Sequence, residues 1–310
     1  MMFIDLHCDT ASRIYYDKSE LNKNRFSIDI DKLQKGDALC QFFAFYIDLK
    51  KVKDPYLEFI NMSNYFKGQI EKNSSEIKII ESFSDIEHAK SSKKIGALLT
   101  IEEGEALQGD VNKLKEAYNL GIRAITLTWN YENSLGYPNK NFIFKDKGLT
   151  EKGKEFVYYM EELGIIPDCS HLSDGGFYDL IKICKKPFVA THSNAREITN
   201  HSRNLTDDMI KKLSDKGGVT GINFCSAFLG NSSVSRIDDM VKHILHIRNV
   251  GGIDCISLGS DFDGIDNAVE IKNASEFIKL ERALNRNGIS DDAIEKIFYK
   301  NALRVMKECL

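Results

Sequence analysis

The chain has 310 residues, 42% of them hydrophobic, which is material for one large α/β domain with a substantial core. Its 42 basic against 46 acidic residues leave a formal net charge of -4, which gives no support to a nucleic-acid partner or an anionic membrane surface. No run approaches the roughly 20 apolar residues of a membrane span, no basic leader is visible, and the seven cysteines form no CxxC pair, so reduced thiols and a cytoplasmic location are expected.

Apolar, β-branched runs recur along the chain, separated by charged segments with helical spacing. The first, Phe3 to His7, ends in His7-Cys8-Asp9, where the two-residue period of a strand puts His7 and Asp9 on one face. The second is Leu39 to Ile47. The stretch Lys51 to Ser84 has helical spacing through Phe66 and then a short apolar run at Ile77 to Ile80, without a clear boundary. The third run, Ile95 to Ile101, is followed by Glu102 and Glu103, and Val111 to Tyr118 reads as a helix before the fourth run, Ala124 to Trp129. Thr150 to Leu163 carries a complete helix signature, with Thr150 as cap, acidic Glu151 in the first turn and Gly164 as stop. The fifth run, Ile165 to Cys169, leads to His171, and the sixth, Phe188 to Thr191, leads to His192. Helical spacing at Thr206 to Leu213 and Ile237 to Ile247 flanks the seventh run, Val219 to Phe224, and the eighth, Cys255 to Leu258, leads to Asp261. Two further helical patterns, Phe277 to Leu284 and Asp291 to Cys309, are expected in the outer layer. This alternation predicts a single-domain (β/α)8 barrel of the TIM type over residues 1–310, with additional C-terminal helices.

In such a barrel, catalytic groups come from the carboxyl ends of the strands, which is where His7, Asp9, Glu102, His171, His192 and Asp261 all fall. Three imidazoles with carboxylates suit Zn2+ or a similar divalent ion, and one carboxylate can bridge two ions. Glu102 is the bridging candidate because it directly follows its apolar run, whereas alternation turns Glu103 away. His7, Asp9 and Glu102 are assigned to one ion, and Glu102, His171 and His192 to the other. Two ions about 3.5–4 Å apart can hold a nucleophilic hydroxide between them and polarise a scissile carbonyl. Asp261 is the candidate proton shuttle, with Asp263 sharing its face but reading more as turn chemistry. Arg203 is the candidate grip for an anionic substrate group, with Arg196 competing for that role. His88, His243 and His246 lie in charged helical segments and are expected to be solvated, and His201 to be a bystander.

The segments Ile4-Asp5-Leu6-His7-Cys8-Asp9, Ile101-Glu102-Glu103-Gly104, Asp168-Cys169-Ser170-His171, Thr191-His192-Ser193, Ser202-Arg203-Asn204 and Gly259-Ser260-Asp261-Phe262-Asp263-Gly264 together resemble the membrane dipeptidase (renal dipeptidase) family of zinc peptidases. The resemblance runs from Phe3 to the last helical pattern. It implies a binuclear zinc dipeptidase, with ligands at His7, Asp9, Glu102, His171 and His192, Arg203 on the substrate's terminal carboxylate and Asp261 handling protons. It also implies tolerance of a D-residue at the C-terminal position. Trp129 stands where animal members carry a substrate-binding His, and Cys225 where they carry a Tyr. No secretory segment or lipid-anchor signal is visible. The expected partner is a small dipeptide, and a homodimer is compatible with a barrel of this kind. Alternatives are hydrolysis of another amide or a lactone, or a catalytically silent peptide-binding barrel.

Overall fold

The computed structural model describes residues 1–310. Eight parallel strands form the predicted barrel: β1 (Phe3–Cys8), β2 (Ala38–Tyr46), β3 (Ile95–Glu102), β4 (Ile122–Thr126), β5 (Ile166–Asp168), β6 (Val189–Ala190), β7 (Val219–Ile222) and β8 (Ile256–Leu258). Each pairs with its neighbours in chain order, and β1 closes the ring on β8 through Asp5 and Leu258. The register sets the level of the site. Tyr46 lies opposite Glu102, Glu102 opposite Thr126, and Thr126 opposite Asp168, so the last residues of four consecutive strands form one rim.

Helices cover the outside of the ring, and local chemistry sets their ends. Thr150 accepts the Gly153 N–H, and Gly164, at φ 81°, ends the helix Glu151–Leu163 in the left-handed conformation that glycine adopts without a Cβ clash. The indistinct stretch after Lys51 resolves into the helix Pro55–Lys72, capped by Asp54, and a short strand Ile77–Ile79 against the start of β3. Phe59 and Phe66 of that helix pack on Phe43 and Phe45 of β2.

The lumen is filled separately. Ile4, Leu6, Phe42, Leu98, Ala124, Ile166, Val189 and Val219, from seven of the eight strands, share one buried cluster with Ala302, Val305, Met306 and Cys309. The helix Asn301–Cys309 was expected in the outer layer; it instead seals the floor of the barrel. Its side chains bond to the residues just before three strands: Cys309 Sγ to Pro187 O, Arg304 Nη1 to Gly217 O and Arg304 Nη2 to Asp254 O. Its apolar face covers the lumen, which leaves the opposite mouth to the polar groups. No helix is long and apolar enough to cross a membrane.

Candidate metal and substrate site

The carboxyl ends of the strands converge on one buried polar group. His7 lies in β1, Asp9 one residue beyond it and Glu102 at the end of β3. His171, His192 and Asp261 follow β5, β6 and β8 after two or three residues. His171 at φ 68° and Asp261 at φ 60° both hold left-handed backbone, an unusual state for side-chain-bearing residues that concentrates at functional sites.

Glu102 divides its two oxygens between the histidines. Oε1 lies 3.1 Å from His171 Nε2 and 3.6 Å from His192 Nε2, while Oε2 lies 3.5 Å from His7 Nε2. His7 Nε2 is also 3.4 Å from Asp9 Oδ2 and 3.8 Å from Asp261 Oδ1. The Nε2 atoms of His171 and His192 are 3.1 Å apart. His171 Nδ1 faces Asn130 Oδ1 at 3.3 Å, and His192 Nδ1 faces Thr191 Oγ1 at 2.7 Å, so both rings turn Nε2 towards the carboxylate. His7 Nε2 and Asp9 Oδ1 are buried with no hydrogen-bond partner. Donor atoms of His7, Glu102 and His192 lie within 4.8 Å of one another, as do those of His7, Asp9 and Asp261. Orphaned donors and clustered acids fit divalent cations, which supply the charge and the bonds that the protein groups lack.

The electrostatics point the same way. Burial, reinforced by the Asp9 charge, pushes Glu102 up to about 8, and burial pushes Asp261 up to about 6. Burial also acts to lower His7, but the Glu102 and Asp9 carboxylates outweigh it and raise His7 well above its ordinary value. His171 and His192 are lowered well below theirs by burial first and by the Arg203 and His7 charges second, so both are neutral and able to ligate.

Glu103 takes no part in this cluster. At φ 102° its carboxylate turns away and accepts from Glu105 N, Trp129 N and Asn133 Nδ2. Asp263 likewise turns aside, accepting from Thr10 Oγ1 and Ser27 N. Cys8 and Cys169 sit in the core between barrel and helices.

A cavity of about 980 Å³ opens over the cluster, with Asp9, Glu102, Trp129, Arg203, Cys225 and Asp261 on its walls. Arg203 is 5% exposed and lies 5.3 Å from the Phe228 ring, with Nε and Nη1 unpartnered. Arg196 is committed elsewhere, in a two-pronged ion pair with Asp174 at 2.7 and 2.8 Å. His201 is more than a bystander: its Nδ1 accepts the Arg203 N–H and its ring packs on Phe228. His243 is fully buried, contrary to the expectation that it is solvated, because it lies on the inner face of the helix Ile237–Gly251; Nδ1 accepts from Ala195 N and Nε2 donates to Leu229 O. His246 bonds Asp207 at 2.6 Å.

Sequence reasoning did not single out Asn223, whose Nδ2 donates to Asp261 Oδ2 at 2.9 Å, nor Asn130, Asp168 and Thr191 around the histidines. Their one signal was position, within three residues of a candidate ligand or just beyond a strand end.

The family model for membrane dipeptidase, peptidase family M19, matches residues 1–309. An uncharacterized dipeptidase of Schizosaccharomyces pombe is 30% identical over 297 residues, covering 90% of this chain and 71% of that protein. A Klebsiella pneumoniae protein encoded in the pqqA 5' region is 32% identical over 78% of this chain and 92% of its own length. Among solved structures, a metallopeptidase of Rhodobacter sphaeroides, liganded with a phosphinate mimic of the dipeptide L-Ala-D-Ala, superposes with a TM-score of 0.93 at 22% identity, covering 100% of this chain and 99% of that one. The chain belongs to the membrane dipeptidase family, peptidase family M19, and is a metal-dependent dipeptidase.

Proposed function

We propose that the chain is a binuclear zinc dipeptidase that cleaves dipeptides with a free C-terminal carboxylate and accepts a D-residue at that end. His7, Asp9 and Glu102 hold one ion, and Glu102, His171 and His192 the other. The observation that carries the substrate reading is the buried guanidinium of Arg203, whose Nε and Nη1 have no partner, on the same cavity as the donor cluster. A buried cation without a carboxylate partner is costly, and a substrate carboxylate offers the two-pronged match it lacks. The D-residue is carried over from the mimic bound by the Rhodobacter relative.

When bound, the ion pair supplies an activated water and polarises the scissile carbonyl. The protein's own groups do the rest. Arg203 fixes the substrate's carboxyl end, which sets where the peptide bond lies over the cluster. Asp261, held through Oδ2 by Asn223 and raised by burial, is placed to take up a proton and deliver it to the departing amine. The neutral rings of His171 and His192 keep Nε2 available throughout.

The test is metal analysis of the zinc-loaded protein joined to a panel of L,L and L,D dipeptides, each with its C-terminal amide as control. Two zinc ions per chain, cleavage of L,D dipeptides and loss of cleavage on amidation are expected. No metal-dependent cleavage of any dipeptide would falsify the reading.

A further inference from the structure

We infer that Asp168 and Thr191 form a relay that fixes His192 in its Nδ1–H form, so that Nε2 carries a lone pair before any cation arrives. The inference rests on the metal-site reading above, and it concerns two residues that touch neither ion nor substrate.

The Asp168 carboxylate is 1% exposed and takes four donors: Ser170 N and Thr191 N on Oδ1, both at 2.9 Å, and Thr126 Oγ1 and Thr191 Oγ1 on Oδ2, both at 2.6 Å. A carboxylate so surrounded can only accept, so the single hydroxyl proton of Thr191 goes to Asp168. That leaves Thr191 Oγ1 with two lone pairs and two other neighbours, Ser170 Oγ at 3.2 Å and His192 Nδ1 at 2.7 Å. The His192 contact is then a hydrogen bond only if Nδ1 carries the hydrogen. Neutral imidazole has one N–H, and placing it on Nδ1 strips Nε2, which faces Glu102 Oε1 at 3.6 Å.

The backbone holds the relay in place. Asp168 ends β5 and pairs with Val189 of β6, while His192 N donates to Ser170 Oγ at 3.1 Å. His192 itself is fully buried, so water cannot replace Thr191 as the acceptor. Asp168 and Thr191 are therefore positioning residues for the metal site: a buried charge is passed through a hydroxyl to a ligand ring, which also raises the ring's basicity at Nε2.

The test uses the whole protein with 15N-labelled histidine, a His192→Gln variant to assign the signal, and zinc competition against a chromogenic chelator. In the metal-free wild type, the His192 spectrum should show Nδ1 protonated and Nε2 bare. Thr191→Val should scramble that preference and weaken zinc binding about 10- to 100-fold, while Thr191→Ser restores both. A metal-free wild type with Nε2 protonated overturns the relay, even where zinc still binds and the metal reading stands. So does a folded Thr191→Val protein with unchanged spectrum and unchanged zinc affinity. A wild type that binds no zinc overturns the metal reading alone, and the spectrum still decides the relay. The wild-type spectrum needs no variant to fold beyond the assignment.

Discussion

Buried carboxyl and imidazole groups give the metal-free site a pH signature. Folded protein keeps the Glu102 proton up to about pH 8, whereas the unfolded chain releases it near 4.5, so folding binds a proton across that interval and stability falls as pH rises through it. His7 acts in the same direction: its raised value adds stability that is complete below 6.5 and is lost as pH climbs through the folded value. His171 and His192, both lowered, oppose the trend only on the acid side of 6.5. The melting temperature of the metal-free protein should therefore drop between pH 6.5 and 8.5, and zinc should flatten the slope; a scan of Tm against pH with and without zinc checks this. Asp261→Asn should retain both ions in metal analysis yet lose about 100-fold or more in kcat. His171→Ala should lower metal content itself. Arg203→Ala removes charge-assisted bonds worth about 1.5–3 kcal/mol, so kcat/KM should fall roughly 10- to 100-fold for free dipeptides and hardly at all for their amides. His7, Asp9, Glu102, His171, His192 and Asp261 could be proposed from the sequence because strand ends collect them at one repeating position, whereas Arg203 stands in a loop far from any strand end and was proposed for its guanidinium chemistry. Asp168 and Thr191 could not, since their effect passes through another side chain and leaves no spacing of its own.

Two glycines let the backbones at the carboxyl ends of β6, β7 and β8 close in on one another. A Cβ on Gly221 would stand 2.0 Å from Thr191 O and 2.8 Å from Gly259 Cα, and one on Gly259 would stand 1.9 Å from the same carbonyl. Gly259→Ala must displace the Thr191 carbonyl just beyond β6 or the Gly221 backbone of β7, since the atoms in the way are backbone. Overpacking of this kind costs about 1–3 kcal/mol, and here it also moves the peptide that carries His192. A lower Tm together with weaker zinc retention is expected, while a variant with lower Tm and full zinc affinity would separate packing from the site. At this scale the eight strands were legible, because fully buried parallel strands read as continuous apolar runs. The destination of the last helix was not. Helical periodicity shows which face is apolar but says nothing about whether that face meets a neighbouring helix or the open end of a lumen.

The whole molecule is a ring with a sealed floor and a polar mouth. Met306 is 1% exposed within the plug, and Met306→Ala should cost about 2–5 kcal/mol in unfolding free energy, measured by denaturant titration. Zinc stoichiometry of the folded fraction should be unchanged, because the plug lies at the far end from the donors. Closure of β1 on β8 has a further consequence, in time. His7 and Asp9 leave the ribosome some 250 residues ahead of the partner strand that carries the chain to Asp261. At about 5–20 residues per second, that is roughly 10–50 s of translation. A nascent polypeptide halted before β8 holds an unfinished hoop, so catalytic competence arrives only with the last stave.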